Sequence, residues 1–239
     1  MDEITRRGLL GEAGGVAAGG LLVLGLPESA GAKPSRRRAE VGAGPTDRHT
    51  VGVIGQTDQA GIAFTTFGYV TRARGLSNSA LFTSPPGKTT NDPRSADASA
   101  ARITFLAKST TRNMDTVGSV ITAFASGQLR FFYQSGGGAR FADPASFARG
   151  EEIASFDAVY QNTLAVDAPD RAGVSLSGDL EQRSAKAFRI GGRAVRFGHR
   201  GLAWSLEATG RGERTEPAAP RALIQFSGEL GVVDAAPPR

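Results

Sequence analysis

The stretch Ala-Ser-Phe-Asp-Ala-Val-Tyr-Gln-Asn-Thr-Leu-Ala-Val, residues 154–166, alternates between two kinds of side chain. Its even positions, which include Phe156 and Tyr160, are mostly apolar, whereas Asp157 and Gln161 lie on the opposite face. A period of two is that of a β-strand with one buried and one solvated face. The segment therefore predicts a long strand whose even-numbered residues face a core.

The same alternation recurs on both sides of this strand. It is present in residues 102–108, 128–133, 174–181, 202–209 and 222–232. Strands with one apolar and one polar face are typical of antiparallel sheets. We therefore predict an all-β fold, a single antiparallel β-barrel or a closely packed β-sandwich, of about 9–11 strands. The barrel is favoured because a closed sheet leaves no exposed strand edge.

Glycines and a proline mark the connections between these segments. Ser126-Gly127 and Gly191-Gly192 predict two tight hairpins, since glycine supplies the positive φ that such turns require. Asp143 followed by Pro144 predicts one short helical turn, with Asp143 at its cap and Pro144 at its first position. The fold should therefore contain almost no helix.

The chain divides into four segments by composition. Residues 1–32 predict a signal peptide, because two arginines precede an apolar, glycine-rich stretch that ends in small residues. Residues 33–50 are polar and have no periodicity, so we expect a flexible linker. The period-two patterns fill residues 51–234, the predicted barrel domain, and residues 235–239 form a short tail.

Arg6 and Arg7 carry the export signal. The string Thr-Arg-Arg-Gly-Leu-Leu at residues 5–10 resembles the twin-arginine (Tat) export motif. Ala30 and Ala32 have the spacing that a signal peptidase reads, which predicts cleavage after Ala32. The resemblance implies that the Tat translocase and a signal peptidase act on the chain during export. The protein would then be secreted or held at the surface of a bacterial cell.

The composition excludes several classes of function. The chain has no cysteine, so it has no disulfide, no thiolate metal site and no cysteine nucleophile. A hydrophobic content of 40% with 21% charged residues excludes a wholly disordered chain. The net charge is +5 and most basic residues are arginine, which is weak evidence for nucleic-acid binding; export separates the protein from nucleic acid, so we expect no nucleic-acid partner.

Few residues are suited to catalysis or to metal binding. His49 lies in the predicted linker, and His199 lies in a loop between glycines, so a Ser–His–acid hydrolase would have to use His199. The acidic residues at 151–152 and within 167–170 flank the long strand and are typical of solvated turns. The sequence contains no phosphate-binding glycine loop, EF-hand or nucleophile elbow. We therefore predict no metal and no cofactor.

An internal ligand site is the candidate that the sequence favours. Asn162 shares the apolar face with Tyr160, and a polar group on that face must form a hydrogen bond, either with the backbone or with a ligand. The aromatic residues of the strands would pack in the core or line a cavity for a flat or oily ligand. We predict a lining that contains Phe105, Phe131, Phe156, Tyr160, Asn162 and Trp204.

The predicted domain resembles two groups of proteins. In strand rhythm it is similar to the allene-oxide-cyclase and dirigent barrels, on the strings Phe-Gly-Tyr-Val-Thr at residues 67–71, Ala-Arg-Ile-Thr-Phe at residues 101–105 and the segment 122–132. It also resembles exported β-rich proteins of actinobacteria. Both resemblances imply a fold only, since one fold serves many functions.

Three functions follow from these observations. We expect an exported, cofactor-free β-barrel that binds a small apolar ligand in its interior. The first alternative is an extracellular isomerase, cyclase or hydrolase. The second alternative is a cell-surface interaction protein whose barrel is filled by its own side chains. The sequence leaves open whether the chain forms a homo-oligomer.

Overall fold

Eleven β-strands make up most of the part of the chain that the structure describes. The computed structural model describes residues 39–41, 51–83, 97–216 and 221–233. The strands are β1 (Ala39–Val41), β2 (Val51–Ala60), β3 (Ala63–Ala73), β4 (Ile103–Val117), β5 (Val120–Tyr133), β6 (Glu151–Ala168), β7 (Arg171–Ala185), β8 (Ala187–Ile190), β9 (Arg193–Phe197), β10 (Ala203–Glu216) and β11 (Arg221–Val232). The predicted signal peptide and tail, with Arg6, Arg7, Ala30 and Ala32, lie outside the described residues, as does His49.

Eight of the strands form a closed antiparallel barrel, which confirms the predicted fold class. Around the barrel the order is β10, β11, β2, β3, β4, β5, β6 and β7, and β7 pairs with β10 to close the sheet. Between β7 and β10 the chain leaves the barrel sheet to form the β8–β9 hairpin. β1 lies within the predicted linker and pairs with β9 in parallel, which makes a separate three-stranded sheet.

The barrel has two different ends. At one end, which we call the turn end, short connections join β2 to β3, β4 to β5 and β6 to β7. At the opposite end, which we call the base, lie the longer connections β3–β4 and β5–β6 and the departure point of the β8–β9 hairpin. This arrangement determines which end of the interior is covered.

One of the two predicted hairpin turns is wrong. Gly191 and Gly192 have positive φ values of 56° and 76° and join β8 to β9, as predicted. Gly127, in contrast, lies inside β5 opposite Ser109, and a Cβ at this position would collide with Ser109 and with the carbonyl of Lys108. The glycine at 127 therefore permits two strands to approach closely. Tight turns also require glycine, so the residue type alone does not distinguish the two cases.

A short 3₁₀-helix, Pro144–Ala148, forms where one helical turn was predicted, and its N-cap is Asp143. The Asp143 carboxylate does not cap the helix by a side-chain hydrogen bond. It forms an ion pair with Arg149 instead, at 2.5 Å from Nη2. The helix start is therefore fixed by the proline and by the tertiary contacts of the helix.

The helix covers an aromatic cluster on the outer wall of the barrel near the base. Phe67 is fully buried there, with its ring centroid 5.2 Å from that of Phe147 and 6.0 Å from that of Phe141. Thr104 on β4 has no exposed surface, and its hydroxyl donates to the carbonyl oxygen of Phe147 at 2.7 Å. This contact attaches the β5–β6 connection to the wall.

Candidate functional site

The interior of the barrel contains a cavity. All eight barrel strands contribute to its lining, and its volume is about 60 Å³. The lining extends from Leu129 and Leu230, deep in the barrel, to Phe64 and Asn162 nearer the turns. Most of the lining is apolar, so this is a narrow, oily space with few polar contacts.

Below the cavity, stacked aromatic rings fill the base of the barrel. The ring of Phe197, which the β8–β9 hairpin brings into the base, lies 4.7 Å from that of Phe131 and 5.7 Å from that of Trp204. Phe156 meets both Phe131 and Trp204 edge to face, at 5.8 Å in each case. The hairpin therefore closes the base, and the cavity is reached from the turn end.

Gln182 holds this closure together. Its side chain has no exposed surface, and its Oε1 accepts a hydrogen bond from the Trp204 indole at 3.1 Å. Its Nε2 donates to the carbonyl oxygens of Phe197 and Ser184. One amide thus satisfies three buried polar groups and joins β7, β9 and β10.

Two glycines determine how close the aromatic rings lie to the wall. Gly55 and Gly68 are cross-strand partners on β2 and β3. A Cβ at Gly55 would lie 2.9 Å from the Phe105 ring and 2.8 Å from the Phe226 ring, and a Cβ at Gly68 would lie 2.6 Å from Phe105. These glycines let the rings pack directly on the backbone, so the rings leave the cavity open.

The polar groups of the lining are hydroxyls and one carboxamide. The hydroxyls of Thr57 and Thr66 form a hydrogen bond with each other at 2.8 Å. Burial raises the pKa of Tyr160 above its ordinary value, and a hydrogen bond with Ser109 lowers it by a smaller amount. The Tyr160 phenol is therefore neutral and can act as a donor.

Asn162 is the exception among these groups. It lines the cavity and is half-buried. Its strand neighbours in register are Ala123 and Leu176, neither of which has a polar side chain. Within the described ranges no hydrogen bond uses its carboxamide, so both the oxygen and the NH₂ group remain open to a molecule in the cavity.

The six residues predicted as lining all face the barrel interior, at two levels. Phe105, Phe131, Tyr160 and Asn162 line the cavity. The other two, Phe156 and Trp204, lie below it in the aromatic base. The structure thus brings four of the six together at the cavity and places two in the closure.

Sequence reasoning missed other members of the site. Thr57, Thr66 and Ser109 supply hydroxyls to the lining, and Phe226 supplies a ring. Each lies at an inward position of an alternating strand, so the period of two could have found them. Phe197 gave no such signal, because its strand is not part of the barrel sheet.

His199 lies outside the cavity. It is exposed, and its Nδ1 lies 3.1 Å from the carbonyl oxygen of Arg200. Among the described residues no hydrogen bond joins it to a serine or a carboxylate. The geometry therefore gives no support to a hydrolase that uses His199.

The acidic residues considered in the sequence lie at opposite ends of β6. Glu152 is near the base, with its Oε2 3.9 Å from Arg130 Nη1, and Asp167 is near the turn end, with its Oδ2 3.7 Å from Arg211 Nη1. These are partly or fully solvated ion pairs, which contribute little to stability. No group of three potential metal ligands occurs in the parts of the chain that are described.

The outer wall carries a second depression, which has a different character. Its volume is about 630 Å³, and hydroxyls from neighbouring strands lie across it in register, among them Thr163, Ser175 and Thr209. Glu207 and Glu229 are also opposite one another there, and Arg72 pairs with Glu229 at 2.8 Å. This surface is open and polar, whereas the interior cavity is enclosed and oily.

Comparisons with protein families, with curated proteins and with solved structures gave no match to this chain. In the described segments, none of the helices has the length and apolar character required to span a membrane. The evidence for a function consequently comes from the geometry of the barrel.

Proposed function

We propose that the protein binds one small apolar ligand inside its barrel and that it does so without a cofactor. The observation that carries the proposal is the lone Asn162 carboxamide, which faces an otherwise oily cavity and has no partner among the described residues. Its amide atoms stay accessible, so a polar group that enters the cavity can pair with them. A few placed polar groups in an apolar pocket are also what small-molecule sites have in common.

The size of the cavity limits the ligand. Its volume of about 60 Å³ is well below the roughly 150 Å³ of an apolar cavity that holds benzene. A short alkyl chain that lies along the barrel axis, with a volume below that of benzene, fits this space better than a ring system. A bulkier ligand would have to displace the side chains of the upper lining, such as Phe64 and Leu176.

The route of entry follows from the two ends. The base is filled by aromatic rings and by Gln182. At the turn end, in contrast, Ile62 and Val117 are 65% and 81% exposed, and Met114 is 62% exposed. An apolar rim of this kind would favour the approach of an oily molecule from the turn end.

Thermal unfolding in the presence of straight-chain alcohols tests the proposal on the full chain. A ligand that binds only the folded state raises the melting temperature. Each additional buried methylene contributes about 0.8 kcal/mol, so affinity should increase roughly fourfold per carbon until the chain outgrows the barrel. Native mass spectrometry of the freshly purified protein would show in addition whether a ligand is already bound.

A matched pair of variants ties binding to the interior. Leu176→Trp adds an indole to the cavity lining, whereas Ser177→Trp adds the same group to the outer face of the same strand. We expect the first variant to lose the stabilisation by alcohols and the second to keep it. If both variants respond as the parent does, or if no alcohol stabilises the parent, a filled barrel that acts through its surface becomes the better description.

We propose also that the barrel works outside the cytoplasm. The support for this is the Thr-Arg-Arg-Gly-Leu-Leu string with its downstream small residues, Ala30 and Ala32. Replacement of Arg6 and Arg7 by lysine keeps the charge and should block export by the twin-arginine route. Cell fractionation measures how much of each protein is exported. N-terminal sequencing of the exported parent protein should begin at Lys33. Equal export of the parent and of the double-lysine variant would contradict the proposed twin-arginine signal.

A further inference from the structure

The side chains around the cavity carry no charge. None of the described residues that line it is an Asp, Glu, His, Lys or Arg. The one titratable group is the phenol of Tyr160, whose pKa burial raises, so it too stays neutral. A charged group that entered this space would lose its hydration and find no opposite charge.

The hydrogen-bonding capacity of the lining is concentrated at one point. Thr57 and Thr66 use their hydroxyls on each other at 2.8 Å, and Tyr160 is engaged with Ser109. The Thr57–Thr66 bond uses one of the two hydroxyl hydrogens, whereas neither the oxygen nor the NH₂ group of the Asn162 carboxamide is used by a described residue. A carboxamide can pair with a hydroxyl, a carbonyl or another amide, each of which is uncharged.

We infer that the ligand is an uncharged amphiphile, with an alkyl body in the cavity and one hydroxyl, carbonyl or amide group paired with Asn162. The inference depends on the proposed function and narrows its ligand class. It excludes carboxylates and amines whose alkyl chain has the same length as that of the neutral ligand. The discrimination arises because the wall has no counter-charge, a property of the residues from all eight strands.

Three ligands of equal chain length test the inference on the full chain. We would take the longest straight-chain alcohol that stabilises the folded protein, together with the carboxylate and the ammonium ion of the same chain length, and measure their binding at neutral pH by isothermal titration calorimetry. We expect the alcohol to bind and each ion to bind at least about 100-fold more weakly, because the interior cannot compensate a buried charge.

Asn162→Leu and Gln161→Leu form a matched pair for the polar contact. Both remove a carboxamide from β6, but Gln161 is exposed on the outer face. Loss of one hydrogen bond should weaken binding of the same alcohol about 3- to 10-fold in Asn162→Leu and leave it unchanged in Gln161→Leu.

The outcomes separate the two proposals. If the carboxylate or the ammonium ion binds as tightly as the alcohol, the inference is wrong and the interior binding site remains. If Asn162→Leu binds the alcohol as well as the parent does, the contact with Asn162 is wrong, and the interior binding site again remains. If none of the three compounds binds, the proposed function fails, and the inference fails with it.

Discussion

Replacement of Gln182 by leucine should open the base of the barrel. Leucine has a similar volume but cannot pair with the Trp204 indole or with the carbonyl oxygens of Phe197 and Ser184. Each buried group left without a partner costs about 1–3 kcal/mol, and leucine recovers part of this by apolar burial. We expect a net loss of about 3–5 kcal/mol in the free energy of unfolding.

The assay for this prediction is direct because the chain contains a single tryptophan. Urea unfolding followed by the fluorescence of Trp204 reports both the free energy of unfolding and the surroundings of the indole. The expected loss corresponds to a melting temperature that is lower by roughly 6–20 °C for a domain of this size. Gln161→Leu, an exposed counterpart, should change the free energy of unfolding by less than about 0.5 kcal/mol.

A double-mutant cycle isolates the contact between the two side chains. In Trp204→Phe the indole donor is absent, so the further change Gln182→Leu leaves one fewer group unpaired. The two effects should therefore fall short of additivity by about 1–3 kcal/mol, which circular dichroism can measure. A loss below about 1 kcal/mol in Gln182→Leu alone would refute the role of Gln182 in closing the base.

Three further predictions concern the barrel wall, the cavity and the aromatic cluster on the outer wall. Gly55→Ala places a Cβ 2.9 Å from the Phe105 ring and should cost about 1–3 kcal/mol in urea unfolding, whereas Gly173→Ala, which meets nothing within 4 Å, should cost nothing. Burial raises the pKa of Tyr160, so the stability that its neutral phenol contributes is present below pH 10 and declines as the pH rises further. Tyr160→Phe should flatten that decline in the free energy of unfolding, and an unchanged pH profile would contradict this prediction. Thr104→Val leaves a buried helix carbonyl without its donor and should lower the free energy of unfolding by about 1–3 kcal/mol, and a neutral result would mean that water replaces the hydroxyl.

The alternating pattern identified the inward face of β4, β5, β6, β7, β10 and β11, because alternation is a local property. In β6 the even positions that include Phe156, Tyr160 and Asn162 face the interior, as the sequence predicts. The same local information failed at Gly127. Glycine serves tight turns and close strand approaches alike, and only the strand opposite shows which is required.

The level of a residue inside the barrel was not predictable in the same way. Phe131 and Phe156 both point inward, yet the first reaches the cavity and the second packs only in the base. The level of each residue along the barrel axis depends on the register shifts between neighbouring strands, added up around the barrel. The pattern within a single strand carries no information about those shifts.

The sequence by itself determined the all-β class and which alternate residues of a strand face the interior. It also determined the presence of a polar side chain, Asn162, on an apolar face. These are consequences of a two-residue repeat and of side-chain chemistry, which act over a few neighbouring residues. Only the tertiary structure decided that β7 closes on β10, that the β8–β9 hairpin brings Phe197 to the base, and that an uncharged cavity remains above it. Closure, capping and cavity shape join residues far apart in the chain, and their free energies depend on contacts that exist only once the barrel has formed.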